Sequence, residues 1–228
     1  MFFYQEFILW AVHTVYLHYD IMVKSRWEKY TITVKLFPYI FCLITLEKVT
    51  SSFRSRINQG LTMPMYLLIS TIQALTYGPF INMFVALGEE VGWRGAMYPY
   101  LKEKFGVTKG RIVGGTIWGA WHWPIMIFAG YEYGKEYIGA PVLGPIVFCI
   151  STVMMGILFD YVYEKTETIW LPSLMHGAVN AFTIFAYLSK PEYADMAIFG
   201  PAYIGIISMI PMIIMAVVIC VKQRKMEC

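Results

Sequence analysis

Long apolar runs separated by short polar stretches make up most of the sequence. The apolar positions in each run are continuous, which is typical of buried or membrane-spanning helices. Several runs approach the roughly 20 residues that a spanning helix needs. The pattern predicts about seven transmembrane or membrane-associated helices, near residues 1–18, 33–47, 62–87, 112–130, 138–160, 169–188 and 200–221.

The least regular of these predicted spans is residues 33–47. Its apolar core between Lys35 and Glu47 is short, which suits an interfacial or tilted segment better than a full span. No basic segment followed by a small-residue cleavage site opens the chain, so a removable signal peptide is not expected. The polar stretches at 19–35, 48–60 and 102–111 are predicted to be loops.

The composition narrows the class of protein. Hydrophobic residues make up 58% of the 228 positions and charged residues only 14%, against about 25% charged residues in a soluble domain. The mean hydropathy is +0.55. The sequence therefore predicts an all-α, polytopic integral membrane helical bundle. We see no internal repeat or long linker, and we predict a single membrane domain over residues 1–228, with N-terminal helices at 1–79, a core at 80–187, and a last helix with a basic tail at 188–228.

The basic residues predict an orientation. With the C-terminal tail in the cytoplasm, most of the Lys and Arg side chains fall on the cytoplasmic side, as the positive-inside bias requires. This orientation also places the segment 89–111 at the cytoplasmic side. In a prokaryote, the membrane would be the plasma membrane.

The first chemically informative segment is "GEEVGWRG", at the end of an apolar run. Ionisable groups at membrane depth are costly, and they are usually paired and functional. On a helix, Glu90 and Arg94 share a face and can form an ion pair. Glu89 is turned about 100° away and is left without that partner. One carboxylate is therefore available for chemistry.

The second segment is "WGAWHWP", in which His122 lies between two tryptophans and one turn after Trp118. Pro124 cannot donate a hydrogen bond to the carbonyl of Ala120, which weakens the helix beside the histidine. Small residues precede it in two small-xxx-small pairs that would allow a neighbouring helix to approach closely, namely Gly110, Gly114, Gly115 and Gly119.

The third segment is "HGAVN", which places His176 and Asn180 four residues apart on one helix face. Two hydrogen-bond donors that converge on one point are what a developing oxyanion requires. Together, the three segments predict that helices bring one carboxylate, two histidines and an amide to a water-containing cavity.

Each segment alone also fits a structural role. Glu90 and Arg94 can be a structural ion pair, and His122 can be a packed, hydrogen-bonded residue. The glycine pairs and the tryptophan cluster fit helix packing or an interface belt. The occurrence of all three segments, in order on successive apolar runs, is what favours chemistry.

The ordered set "EEVGWR", "WGAWH" and "HGAVN" resembles the three motifs of the CPBP family of intramembrane endopeptidases, also called the Abi or type II CAAX protease family. The resemblance covers roughly residues 80–187. One departure is Trp118, which stands where the family commonly has Phe.

The resemblance implies a peptidase in which Glu89 and His122 activate water, while His176 and Asn180 stabilise the oxyanion. Glu90 and Arg94 would support the site. It also implies a peptide or protein substrate, which includes lipid-modified ones, together with membrane lipids as partners and no nucleic acid. A metal-free glutamate mechanism with no cofactor is favoured. The alternative is a zinc site at Glu89, His122 and His176.

Two other classes of function stay open at this point. One is a non-catalytic membrane scaffold or immunity protein of the same fold. The other is a proton-coupled transporter, although ionisable residues at several depths and repeated broken helices are not visible.

Overall fold

A computed structural model of the chain describes residues 62–182, 191–200 and 203–227. Every regular element within those ranges is helical, which agrees with the predicted all-α class. The predicted spans at 1–18 and 33–47, and the predicted loops at 19–35 and 48–60, lie outside the described residues. The division into residues 1–79, 80–187 and 188–228 stays a prediction.

The predicted span at 62–87 is two helices, α1 (Met63–Leu75) and α2 (Tyr77–Gly92), whose axes are bent by 59°. The break falls at Thr76, whose hydroxyl donates to the carbonyl of Ile72 and competes with the helical hydrogen bonds. Beyond Gly92 the chain continues through a π-helical turn (Trp93–Met97) into α3 (Tyr98–Phe105).

The predicted loop at 102–111 is wrong, because nearly all of these residues are helical. Helix α3 ends at Phe105 and α4 (Val107–Trp121) begins two residues later. Gly106 alone makes the reversal, with a φ of 79° that glycine adopts without steric cost. The two lysines in the last turn of α3 interact favourably with the negative end of its helix dipole.

The predicted span at 112–130 is interrupted at His122. Helix α4 ends at Trp121, and the short α5 (Trp123–Ala129) starts with Pro124 in its first turn. The weakening expected from this proline is therefore a complete break.

The remaining helices are α6 (Leu143–Thr166), α7 (Trp170–Phe182), a 3₁₀ helix (Pro191–Phe199) and α8 (Ile210–Glu227). Helices α6 and α8 begin later than the predicted spans at 138–160 and 200–221. The residues before them form turns that pack together: the Ile138 N–H donates to the Asp195 carbonyl at 2.8 Å, and the Tyr133 hydroxyl donates to the Ile204 carbonyl at 2.7 Å.

Glycines set the spacing between α4 and its neighbours, as predicted from the small-xxx-small pairs. A Cβ atom built on Gly115 would lie 2.4 Å from Cα of Val153 on α6, and one on Gly119 would lie 2.8 Å from Cα of Cys149. These distances are too short for any side chain, so α4 and α6 touch backbone to backbone. The Thr152 hydroxyl donates to the Gly115 carbonyl across the same contact.

A buried network of charges joins α3, α4 and α6 at one end of the bundle. Asp160 accepts hydrogen bonds from Arg111 Nε at 2.6 Å and from Lys102 Nζ at 2.9 Å. Glu164 pairs with the same two cations, each at 2.7 Å, and Gln223 of α8 hydrogen-bonds to Arg111. Lys102 and Arg111, which lie in the stretch predicted to be a loop, are therefore paired structural residues.

Among the described residues, only α6 is long and apolar enough to cross a membrane by itself, and the bent pair formed by α1 with Tyr77–Phe105 could make a second crossing. The predicted bundle of about seven spans is not confirmed. The breaks at Thr76 and His122, and the turns before α8, divide the apolar runs into helices shorter than a span.

Candidate active site

The predicted ion pair between Glu90 and Arg94 is present, with Arg94 Nη1 2.8 Å from Glu90 Oε1. Both side chains are fully buried. The same carboxylate oxygen accepts a second hydrogen bond, from Nδ1 of His176 at 2.7 Å. Glu90 therefore links the first and third motifs. Because the bond to a carboxylate requires the hydrogen on Nδ1, the carboxylate also determines which ring nitrogen of His176 is turned away from Glu90.

The Arg94 guanidinium is enclosed by aromatic rings. Its carbon lies 4.7 Å from the ring centre of Tyr98, 4.8 Å from that of Trp118 and 5.1 Å from that of Phe159. The cation thus gains attraction from three π faces in addition to its bond with Glu90.

Glu89 does not pair with Arg94, as predicted, but it has two other partners. Its Oε2 atom accepts hydrogen bonds from the indole N–H of Trp93 at 3.2 Å and from that of Trp118 at 3.0 Å. The interpretation of the cluster around His122, which includes Trp118, as packing or an interface belt was therefore incomplete, and Trp93 had no predicted role. Trp93 is four residues after Glu89, a spacing that could have predicted the contact, whereas Trp118 reaches Glu89 from another helix.

His122 lies at the junction between α4 and α5. Its Nδ1 is 2.9 Å from the carbonyl oxygen of Trp118, so Nδ1 carries the hydrogen and donates it. The imidazole packs against Trp121, with ring centres 4.8 Å apart, and against Phe148 of α6, at 5.0 Å. This packing fixes the ring and leaves Nε2 as the nitrogen with a lone pair.

The three motifs meet around Trp118. Its indole N–H binds Glu89, and its ring lies edge-on to His176 with centres 5.2 Å apart. Glu89 is close enough to both His122 and His176 for direct charge–charge interaction. Asn180 is half-buried one turn after His176 on α7. The fold thus brings the predicted site residues of three separate helices to one region.

A metal site was the alternative predicted for Glu89, His122 and His176. Within residues 62–182, 191–200 and 203–227, no three His, Cys, Asp or Glu side chains are arranged so that they could hold a metal ion. The metal-free mechanism and the zinc site both stay predictions.

The π-helical turn follows directly after Glu89 and Glu90 and contains Trp93 and Arg94. π-helical turns inside α-helices are rare, and those that occur are often found at functional sites. Here the turn carries both the indole that binds Glu89 and the guanidinium that binds Glu90.

This region is similar to that of a known protein family. Residues 71–182 match the family model described as type II CAAX prenyl endopeptidase, Rce1-like. Over 102 residues the chain is 29% identical to CAAX prenyl protease 2 of Methanococcus maripaludis, an alignment that covers 44% of this chain and 37% of the relative. The chain thus spans a little over a third of the length of that curated relative. No solved structure matches the chain.

These matches support the CPBP, CAAX protease-like family that the three motifs indicated. At the level of the family they support a protease. Together with the apolar helix α6, they support an integral membrane protein.

Proposed function

We propose that this CPBP-family chain is an intramembrane endopeptidase that hydrolyses peptide bonds of membrane-associated or lipid-anchored peptides. The observation that carries the proposal is the meeting of the three motifs around one buried tryptophan. Trp118 contacts both Glu89 and His176, and Glu90 joins His176 to Arg94. A carboxylate, two oriented imidazoles and an amide in one region are the groups that peptide hydrolysis needs.

In the proposed reaction, Glu89 and His122 activate a water molecule. Both indole hydrogen bonds to Glu89 fall on Oε2, so Oε1 is the atom that would accept the proton of water. The Nε2 lone pair of His122 would hold the same water in line with the scissile carbonyl. The water oxygen bonds to the carbonyl carbon, and the carbonyl oxygen becomes an oxyanion.

His176 and Asn180 are proposed to stabilise that oxyanion. The Glu90 carboxylate at Nδ1 stabilises positive charge on the His176 ring, so Nε2–H can act as the donor. The Asn180 amide would supply a second donor. When the C–N bond breaks, the leaving amine takes the proton from Glu89, which restores the starting carboxylate.

The substrate class follows from the family and the setting. The relative from Methanococcus maripaludis is named a CAAX prenyl protease, and a lipid-modified peptide would partition into the bilayer beside an apolar bundle. We include other membrane-associated peptides in the proposal. We also propose that the C-terminus and the opening of the site face the cytoplasm, which protease protection of a C-terminal tag tests.

The test is peptide cleavage by the full chain purified in detergent. Glu89→Gln keeps the shape of the side chain but cannot act as a general base. Cleavage should therefore be abolished, while the temperature of thermal unfolding should equal that of the parent. Glu103→Gln, at an exposed position on α3, is the matched control and should cleave at the parent rate.

Equal turnover by Glu89→Gln and the parent would remove Glu89 from the mechanism. Absence of cleavage by the parent on any membrane peptide would favour the non-catalytic scaffold or immunity protein. Proton flux in vesicles would favour the transporter.

A further inference from the structure

Glu132 lies outside the three motifs, in the turn between α5 and α6. Its φ is 72°, and the N–H of Tyr133 donates to the carbonyl of Tyr131 at 3.0 Å. These features define a three-residue γ-turn of the rare, strained type. Such a conformation is uncommon for a residue other than glycine, and it persists only where the surrounding structure imposes it. The packing of the Tyr133 ring, whose hydroxyl binds Ile204, provides that constraint.

The turn directs the Glu132 carboxylate into the protein. Both carboxylate oxygens are buried, and neither has a hydrogen-bond partner among the described residues. The phenols of Tyr131 and Tyr203 lie beside the carboxylate within hydrogen-bonding reach, and they are its polar neighbours among the described residues. Burial raises the pKa of Glu132 to about 7. A buried carboxylate without a cationic partner is costly, so a cation that binds beside it would stabilise it.

The position of Glu132 relates it to the candidate active site. The Tyr131 ring lies nearly parallel to the His122 imidazole, with an interplanar angle of 13° and ring centres 6.1 Å apart. Tyr131 and Tyr203 are both within charge–charge range of Glu89. Tyr203 also packs against the hydrophobic cluster that contains Trp118. The two phenols therefore interact with both carboxylates, Glu132 and Glu89.

Glu89 interacts with His122 and His176, but among the described residues no Lys or Arg side chain balances Glu89 or Glu132. Arg94 is engaged with Glu90, and Lys102 and Arg111 are engaged with Asp160 and Glu164 at the other end of α6. In the part of the chain that the structure describes, neither Glu89 nor Glu132 forms an ion pair with Lys or Arg. A cationic group that enters beside Glu132 would therefore meet an uncompensated acid.

We propose that Glu132, with Tyr131, Tyr133 and Tyr203 around it, is a subsite that binds the cationic side chain of a Lys or Arg residue in the peptide substrate. The carboxylate supplies charge-assisted hydrogen bonds, and the aromatic rings supply cation–π attraction. The subsite lies beside the reacting groups and not among them, so the Lys or Arg would not be one of the two residues that the scissile bond joins. This inference rests on the proposed endopeptidase function and adds a specificity to it.

The test compares N-acetylated membrane peptides that differ at one position, which carries Lys, norleucine or Glu. Norleucine matches the length of Lys without its charge, and acetylation leaves the side chain as the only added ammonium group. Peptide binding is measured in the Glu89→Gln background, in uncharged detergent, and cleavage is measured with the parent. The position is moved along the peptide on both sides of the scissile bond.

At one position, we expect the Lys peptide to bind roughly tenfold to a hundredfold more tightly than the norleucine peptide, as for hydrogen bonds to a charged group. Glu132→Gln should reduce this ratio to about one. Glu136→Gln, at an exposed position in the same loop, is the matched control and should keep the ratio. Because the turn has a positive φ, Glu132→Asn provides a second neutral variant that tolerates this conformation.

Equal binding of the Lys and norleucine peptides at every position would overturn the proposal, and so would a ratio that survives in both Glu132 variants. Cleavage without any charge preference would refute the subsite but not the proposed peptidase function. A charge preference in binding, with no cleavage by the parent, would sink the peptidase and leave the subsite.

Discussion

Arg94 offers the sharpest test of how the site is held together. Arg94→Ala removes the 2.8 Å ion pair with Glu90 and the packing of the guanidinium against three aromatic rings. Breaking a buried pair by removing one partner costs about 3–5 kcal/mol, because the other charge stays buried. His176 still donates to the same oxygen of Glu90, which favours the lower end of that range.

The expected change is large enough to measure directly. For a chain of this size, each kcal/mol shifts Tm by roughly 2–4 °C, so the variant should melt roughly 6–20 °C below the parent in detergent. The rate of peptide cleavage per folded molecule should fall far less, by no more than about tenfold, because the hydrogen bond of Arg94 goes to Glu90 and not to Glu89.

Two further variants frame this measurement. Arg94→Lys keeps the charge but loses the planar guanidinium, and its Tm should fall between those of the parent and Arg94→Ala. Lys104→Ala removes an exposed cation that also lies over an aromatic ring, that of Phe105, and should leave Tm nearly unchanged. An Arg94→Ala protein with the parent Tm and no activity would refute the reasoning, because Arg94 would then act on the substrate or in the chemistry.

Three other predictions address the chemistry. Asn180→Ala should lower kcat by about a hundredfold to a thousandfold with little change in KM, as when one oxyanion donor is lost. Steady-state kinetics on a membrane peptide measure both constants, and a raised KM with an unchanged kcat would contradict the oxyanion role. Purified active protein should contain no stoichiometric zinc and should resist chelators; zinc that is required for activity and is lost in His122→Ala or His176→Ala would establish a metal mechanism. The preference for a Lys peptide over its norleucine analogue should strengthen as the pH rises through about 7, because only ionised Glu132 attracts the cation and the Lys side chain stays charged. The groups that face Glu132 are Tyr131, Tyr133 and Tyr203, which are neutral phenols in this range. Binding titrations at pH 6 and 8, with Glu132→Gln as the control, measure the effect.

The parts of the site that the sequence could predict are local ones. Glu90 and Arg94 form the expected pair because a helix always brings residues four apart to one face. The bond from His176 to Glu90 and the bond from Trp118 to Glu89 join different helices. Which residues pair between helices depends on how the helices pack, and the spacing of residues within one segment does not indicate it.

Glu132 was missed for a different reason. Positive φ is signalled in a sequence by Gly or Asn, and a glutamate between two tyrosines carries no such signal. Its burial arises from the turn and from Tyr203, which is distant along the chain. A charged residue between two predicted spans would ordinarily be assigned to solvent.

The helical class was predictable from composition and continuous apolar runs, and the break beside Pro124 was predictable from the missing N–H. The lengths of the helices were less so. Thr76 interrupts a run that reads as continuous, and Gly106 alone turns a polar stretch into two helix ends. A single residue decides each boundary, and hydropathy averaged over a window does not register it.

The end of helix α4 has one more consequence. In an uninterrupted helix the Trp118 carbonyl would accept the backbone N–H of residue 122, but that N–H bonds to Gly119 at 3.0 Å. The imidazole of His122 donates to the vacated carbonyl instead, so the side chain terminates its own helix. The hydrogen on Nδ1 that satisfies the Trp118 carbonyl is also the one that leaves Nε2 with the lone pair for catalysis. The same hydrogen therefore serves both the helix terminus and the chemistry. His122→Ala should destabilise the end of α4 as well as remove the base, whereas His122→Gln would keep a hydrogen-bond donor for the Trp118 carbonyl.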